Sequence, residues 1–396
     1  MRILNVKGGV PIWTYLDEIE SGAMQQAESC ARLPFAFHHL ALMPDAHQGY
    51  AMPIGGVMAC RGHVVPYAVG VDIGCGMLAV RTSLKPHDVE KDLENIINEG
   101  FNRIPVGFQW HKKPQDAEIF QPWETKSGKQ RQRLEADFPI AAEHYNDVKK
   151  QIGTLGGGNH FIEIQVDQEG QVWMMLHSGS RNIGLKIANE YHKRAQEYVK
   201  SKKIPVGKDY AFLPVDHEDG ARYLREMDFC VRFAFENREK MRAAMLTILH
   251  DVLGKDFSIL EEVRTAHNYA SWEEHFGETV LIHRKGAVRA GEGELVTIPG
   301  SMGTASYIGR GKGNANSFES CSHGAGRAKG RRQALKEISK EEFERQMGDV
   351  VLGCAKIRDA IQEAPSAYKD IDEVMMQQAE LVEVVYRLTP LAVLKG

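Results

Sequence analysis

Apolar and polar positions along the chain follow two periods, and the switches between them mark out its elements. Short apolar runs at 40–43, 53–57, 68–71, 161–164, 172–176, 279–283, 295–298 and 391–394 predict buried strands. Apolar residues recurring at three- and four-residue spacing predict helices over 21–32, 86–99, 183–200 and 221–253. In the last of these Leu224, Met227, Val231, Ala234, Met241, Met245, Ile248 and Val252 share one face, read as core packing. Residues 331–363 read as charged helix, and a final helix follows Asp372. The runs at 161–164 and 172–176 flank a turn at 167–170, which predicts a hairpin or neighbouring strands. No long linker, repeat or low-complexity tract interrupts the series. The expectation is α+β: one large compact domain over residues 1–396, with mixed sheets and peripheral helices.

Composition narrows this only a little. The 396 residues are 43% hydrophobic and 26% charged, as in an ordinary globular protein. A net charge of −4 argues against a general nucleic-acid binder but not against a local basic surface. The six cysteines lack paired spacing, so a disulfide framework is not expected and a reducing cytoplasm is. No apolar run follows Met1, so no signal peptide is expected. No stretch approaches the ~20 apolar residues of a membrane span.

Candidate chemistry gathers where apolar runs break into glycine-rich turns. Asp72 and Cys75, each beside glycine, can point at a common centre or form a turn around a buried cysteine. His160 follows Gly156-Gly157-Gly158-Asn159, His177 closes the next strand, and His267 lies in Ala266-His267-Asn268. These five make a mixed soft and hard ligand set. They lack the close Cys/His pairs of a structural zinc site, and suit one open site or a two-metal cluster bridged by thiolate. His323, in Ser322-His323-Gly324-Ala325-Gly326-Arg327, could be a nucleophile toward phosphorus, a base, a ligand or a loop residue. His47 fits a structural bond to backbone as well as a site role. Gly309-Arg310-Gly311-Lys312-Gly313 resembles a phosphate loop but lacks the Lys-Ser/Thr ending, so a P-loop is rejected. Lys126, Lys129, Arg131 and Arg133 form a basic run in a predicted loop. Arg181, Arg284, Lys285, Arg289, Arg310, Lys312, Arg327, Lys329, Arg331 and Arg332 stand near the motifs and could meet a phosphate backbone.

Ten ordered segments carry a resemblance. They are Met43-Pro44-Asp45 through Gly55-Gly56, Gly70 to Gly76, Gly157 to Glu163, His177 to Arg181, His267-Asn268-Tyr269, Arg284 to Ala287, Pro299 to Gly303, Ser322 to Arg327, Ala367 to Asp370, and Lys395-Gly396. Together they resemble the RtcB family of RNA-splicing ligases from end to end. The resemblance implies a GTP-dependent ligase with two Mn²⁺ ions, joining an RNA 3′-phosphate or 2′,3′-cyclic phosphate to a 5′-hydroxyl. Cys75 would bridge the metals, with Asp72 and His160 on one and His177 and His267 on the other. His323 would carry GMP. Asn159, Glu163, Ser301, Ser306, Tyr368 and Lys395 would hold the guanylate. His160, Phe161, Ile162, His267, Asn268, Pro299, Gly300, Met302, His323, Gly324, Ala325 and Gly326 also belong to the implied nucleotide set. Broken RNA, such as tRNA or rRNA fragments, would be the substrate of a monomer, with room for an activating protein. Asn182 stands where the family often has glycine, and Ala328 to Arg331 where many members have a Ser-Arg pair. Both departures bear on substrate choice, and a specialised repair paralogue is one reading. A metal-dependent phosphoesterase and an idle RNA-binding paralogue are the competing functions.

Overall fold

A computed structural model describes residues 1–396. Two sheets carry the α+β fold. The first runs Arg2–Leu4, Ile12–Thr14, Ala36–His47, Ile54–Cys60, Glu278–Lys285 and Asn268–His275 in spatial order. The second runs Ile259–Ala266, Gly76–Thr82, Val172–Ser178, Phe161–Asp167, Val382–Lys395, Ser306–Gly311 and Leu295–Ile298, with Val351–Cys354 parallel against the C-terminal strand. This second sheet curls nearly shut, and a 2.8 Å hydroxyl pair between Thr265 and Thr297 links its first strand to its last. His267 is the one residue between Ile259–Ala266 and Asn268–His275, which belong to different sheets. It therefore sits at the corner where the sheets meet.

The predicted hairpin forms, with Phe161 opposite His177 and Ile162 opposite Leu176. Both strands are buried along nearly their whole length, which is why they read as continuous apolar runs. Helices Arg181–Ser201 and Glu218–Leu253 pack on each other. The longer helix buries Met227, Met241, Met245 and Ile248, as its apolar face predicts. The same helix buries Asn237 and Arg238, and these do something else. Asn237 Oδ1 accepts from Gly153 N at 2.7 Å and Thr154 N at 3.0 Å, and its Nδ2 donates to Gly179 O at 3.2 Å. Arg238 donates to Gly74 O and Ser178 O, each at 3.0 Å. One helix thus ties down three glycine turns whose backbone groups would otherwise be buried without partners.

Several local expectations change. Residues 66–69 are not strand but a short helix, Pro66–Val69, begun by a proline whose fixed φ suits the first helical position. The basic run at 126–133 lies mainly in helix Gly128–Asp137, with Arg131 paired to Glu135 four residues on at 2.7 Å. Gly309 to Gly311 end a strand, Ser306–Gly311, rather than forming a loop. The helical expectation over 331–363 is interrupted by strand Val351–Cys354. The closing strand is fourteen residues, Val382–Lys395, because its first half is only patchily buried and hides in an apolar count. No helix is long and apolar enough to cross a membrane.

Candidate active site

Cys75 ends the turn that enters strand Gly76–Thr82, and its thiol is shared by two ligand groups. Asp72, Cys75 and His160 form one; Cys75, His177 and His267 form the other. Within each, the ligating atoms all lie within 4.8 Å of one another. Cys75 Sγ is 3.5 Å from His160 Nε2 and 3.2 Å from His177 Nε2. His160 Nε2 is 3.0 Å from Asp72 Oδ2, and His177 Nε2 is 3.2 Å from His267 Nε2. The register explains the gathering. Gly76 pairs with Ser178, Met77 with His177, and Gly76 with Ala266, so adjacent strand ends deliver Cys75, His177 and His267 to one point. A Cβ on Gly179 would lie 2.1 Å from Asp72 Oδ1, so only glycine leaves room for that carboxylate.

The donors fit divalent cations. Nδ1 of His160 lies 2.9 Å from Leu155 O, and Nδ1 of His177 lies 3.1 Å from Asn159 O. Donating to a carbonyl through Nδ1 leaves the Nε2 lone pair facing the cluster. Burial, then neighbouring histidine charge, holds His177 and His267 well below the usual histidine range, which keeps them neutral. Burial would raise Asp72, but bonds and charge from His160 outweigh it and keep the carboxyl ionised. Burial and the Asp72 charge push the Cys75 thiol well up, so a thiolate here needs a cation beside it.

His323 stands next to this cluster, its ring 4.9 Å from that of His267. It follows strand Ser320–Ser322. Its Nδ1 lies 2.6 Å from Asp45 Oδ2, and its backbone N donates to the same oxygen at 3.1 Å. Asp45 is fully buried at the inner end of strand Ala36–His47. A Cβ on Gly326 would meet Asp45 O at 2.2 Å, so the glycine run lets the His323 loop close over the aspartate. In the sequence Asp45 belongs to the segment Met43-Pro44-Asp45 but has no role assigned at the site. The signal was a carboxylate ending an apolar strand, between proline and alanine, with no local partner. His47 Nδ1 lies 2.9 Å from Asp45 O, a bond to backbone, and His47 also lines the cavity.

A cavity of about 930 Å³ opens over these groups, lined among others by Asp72, Cys75, Asn159, His267, Asn268 and His323. Glu163, Lys395, Tyr368 and Ser306 lie apart from its lining, in a buried polar cluster. Lys395 Nζ donates to His160 O at 3.1 Å, and Glu163 accepts from Gln165 at 2.6 Å. Burial pushes Glu163 up to about 8 and Lys395 down to about 8. Gln165 also reaches Ser306 Oγ at 3.1 Å, which accepts from Gly300 N at 3.3 Å. Ser301 pairs with Thr304 at 2.9 Å. Glu363, absent from the predicted set, anchors this cluster. It accepts from Arg327 at 2.8 Å, Arg331 at 2.9 Å and the Tyr368 hydroxyl. Burial would raise its carboxyl, but the charges of Lys395, Arg327 and Arg331 hold it down. Pro299 O accepts from Ala325 N at 3.0 Å, joining the Pro299 to Gly303 turn to the His323 loop. Phe161 lies edge-on to His177 at 5.6 Å. The side chains of Ile162 and Met302 pack into apolar cores, so only their backbone could meet a ligand.

The chain matches a family model described as tRNA-splicing ligase RtcB over residues 26–396. The chain belongs to the RtcB family. RNA-splicing ligase RtcB of Escherichia coli K12 is 39% identical over 399 residues, covering 98% of this chain and 97% of that protein. tRNA-splicing ligase RtcB of Nanoarchaeum equitans is 34% identical, covering 95% and 92%. That of Thermococcus kodakarensis is 30% identical, covering 94% and 91%.

Within this RtcB-family chain the basic candidates divide. Arg284 is fully buried against Glu273, with Nη2 2.9 Å from Oε2, and belongs to the scaffold. Lys285 lines the cavity and donates to Tyr67 O at 3.1 Å; Arg181 bonds Thr154 Oγ1 and Gly107 O at 3.0 and 2.9 Å. Arg289 pairs with Glu294 and Glu319, Lys312 bonds Ala379 O, and Arg310 is exposed near the end of strand Ser306–Gly311. Arg327, Lys329, Arg331 and Arg332 line the cavity. Of the two sequence departures, Ala328 to Arg331 lines the cavity too. Asn182 does not. It sits in the first turn of helix Arg181–Ser201, with its N bonded to Gln151 at 3.2 Å.

Proposed function

We propose that this protein is a GTP- and Mn²⁺-dependent RNA ligase. It joins RNA 3′-phosphate or 2′,3′-cyclic phosphate ends to 5′-hydroxyl ends, in RNA repair or tRNA splicing in the cytoplasm. One observation carries the reading: a histidine clamped by a buried aspartate beside two ligand groups that share one cysteine.

Asp45 accepts the Nδ1–H of His323, which leaves the Nε2 lone pair free for attack on the α-phosphorus of GTP. A P–N bond forms, pyrophosphate leaves, and Asp45 balances the positive charge that develops on the ring. A 2′,3′-cyclic end is first opened by water, which breaks the P–O2′ bond and leaves a 3′-phosphate; the GMP then passes to an oxygen of that RNA 3′-phosphate as the P–N bond breaks. The 5′-hydroxyl attacks that phosphate, a phosphodiester forms, and GMP departs. Two divalent cations held by Asp72, Cys75 and His160 and by Cys75, His177 and His267 would neutralise phosphate oxygens. Glu163, Lys395, Tyr368, Ser301, Ser306 and Asn159 are the guanylate-holding residues in this reading. Arg327, Lys329, Arg331 and Arg332 meet the RNA phosphates.

Incubation with α-labelled GTP and Mn²⁺ should leave label on the protein, and His323→Ala should abolish it. Defined RNA fragments should then be joined by the wild type. Label retained in His323→Ala overturns the nucleophile. Cyclic ends opened but never joined in the presence of GTP would favour a phosphoesterase.

A further inference from the structure

Phe108 is 102% exposed, and Trp110, two residues on, is 38% exposed. They lie in Gly107-Phe108-Gln109-Trp110-His111-Lys112-Lys113, where aromatic side chains precede exposed lysines. An unburied Phe forgoes about 1.5–3 kcal/mol of burial, so two exposed rings in one turn call for a physical reason. The turn is pinned rather than loose. Gly107 N donates to Gly156 O at 2.8 Å, and Arg181 donates to Gly107 O at 2.9 Å. Gln109 N donates to Val106 O at 3.1 Å, and His111 N donates to Lys150 O at 3.0 Å. The backbone holds the Phe108 ring out into water and leaves Trp110 partly exposed beside it.

The position of this turn is informative. A Cβ on Gly156 would lie 2.7 Å from His160 Nδ1, so the glycine bonded to Gly107 touches a ligand of the cluster. A Cβ on Gly157 would lie 3.5 Å from Gly107 Cα, and one on Gly158 would lie 3.2 Å from Arg331 Nη2. Asn159 and Arg331 then line the cavity. The aromatic turn and the cavity wall therefore share one glycine loop.

We propose that Phe108 and Trp110 form a stacking platform for unpaired nucleobases of the RNA strand next to the break, with Lys112 and Lys113 facing its phosphates. This rests on the RNA-ligase reading above. Flat faces suit bases of any identity, and positive charge beside them suits the backbone. The carboxylate in the same segment, Asp116, lies beyond the lysines and is 3.9 Å from Lys149. In the chain the rings are flanked by Gly107, Gln109, His111 and the two lysines.

The test is binding and ligation of a short single-stranded RNA ending in a 3′-phosphate. In Phe108→Ala the Kd and the KM for RNA should rise roughly 5- to 150-fold, the range for losing one stacked base, and further in Phe108→Ala/Trp110→Ala. The rate at saturating RNA should stay near wild type. GMP labelling of His323 without RNA should be retained. Phe108→Leu should behave like Phe108→Ala, since an apolar side chain without a ring cannot stack. RNA with abasic residues beside the break should bind the wild type more weakly by a similar factor and the double variant no more weakly still. Wild-type RNA affinity in the double variant overturns the platform, as do independent losses from variant and abasic RNA. A change in oligomeric state with RNA binding intact overturns it in favour of a protein contact. Absence of GMP label on the wild type would instead sink the ligase reading, and RNA binding, which needs no GTP, would still decide the platform.

Discussion

The molecule holds two clusters of histidines, and they do opposite things. Around Cys75, His160 and His177 each spend Nδ1 on a backbone carbonyl, and Nε2 meets cysteine, aspartate or another histidine. At the far end of strand Ala36–His47, His39 is stacked between Trp13 at 3.9 Å and Phe318 at 4.2 Å. His38 stacks on Phe276 at 3.8 Å. His39 spends Nε2 on Asn316 O at 2.8 Å and Nδ1 on His38 at 2.7 Å. Burial depresses proton affinity in both places: His177 and His267 fall well below the usual range, and His39 falls to about 3. A depressed pKa therefore does not separate ligand from packing. What separates them is whether the second ring nitrogen faces a free donor set or another committed group.

The sharpest way to break that contrast is at Asp45, which makes His323 different from both clusters. Asp45→Asn should cut GMP labelling about 10²- to 10⁴-fold, the usual range for a lost proton partner. Metal content, measured on the purified protein, should be unchanged, because Asp45 belongs to neither ligand group. Wild-type labelling would make the aspartate a scaffold residue. Next in size is His39→Ala. It should lower unfolding stability by about 3 kcal/mol, as for a truncated buried ring, with ligation per folded molecule unchanged. Lost activity at wild-type stability would put the distal cluster in the reaction.

A pH dependence comes last, because it acts only below about pH 6.5. Unfolded, His39 takes up a proton near pH 6.5; folded, it does so only near 3. The unfolded chain binds more protons between those values, so its contribution is present above pH 6.5 and is lost as pH falls toward 3. His47 and His283, each lowered to about 4 by burial, act in the same direction. In denaturant titrations across that window, His39→Phe should lose stability less steeply than wild type. Parallel curves would show that His39 is not held neutral in the fold.

The same contrast shows what the sequence reading could reach. Asp72, Cys75, His160, His177 and His267 were legible because each stands where an apolar run breaks into glycine, serine or asparagine. His38 and His39 stand inside a strand without such a break, and went unremarked. The pattern failed where burial was mixed. Residues 68–71 are apolar but follow a proline into a helical turn, and 382–390 are strand with an uneven apolar pattern. Asp45, Glu363, Asn237 and Arg238 escape a local reading because most of their partners are far along the chain. Asp45 and His323 are 278 positions apart.

Residue order alone therefore determined the chemical types at the site, the glycine turns that carry them and the periods of the main helices and strands. Those depend on neighbours within a few positions, where covalent geometry and local burial act. Tertiary structure decided that Cys75 is shared by two ligand groups, that Asp45 holds His323, and that one helix pins three turns. It also decided that Arg284 is scaffold while Arg327 and Arg331 line the cavity. Each of these turns on contacts between segments distant in the chain, and at Cys75, His177 and His267 on strand register. Register is set by packing between distant segments, and a shift of one residue would send a strand residue such as His177 to the opposite face of its sheet.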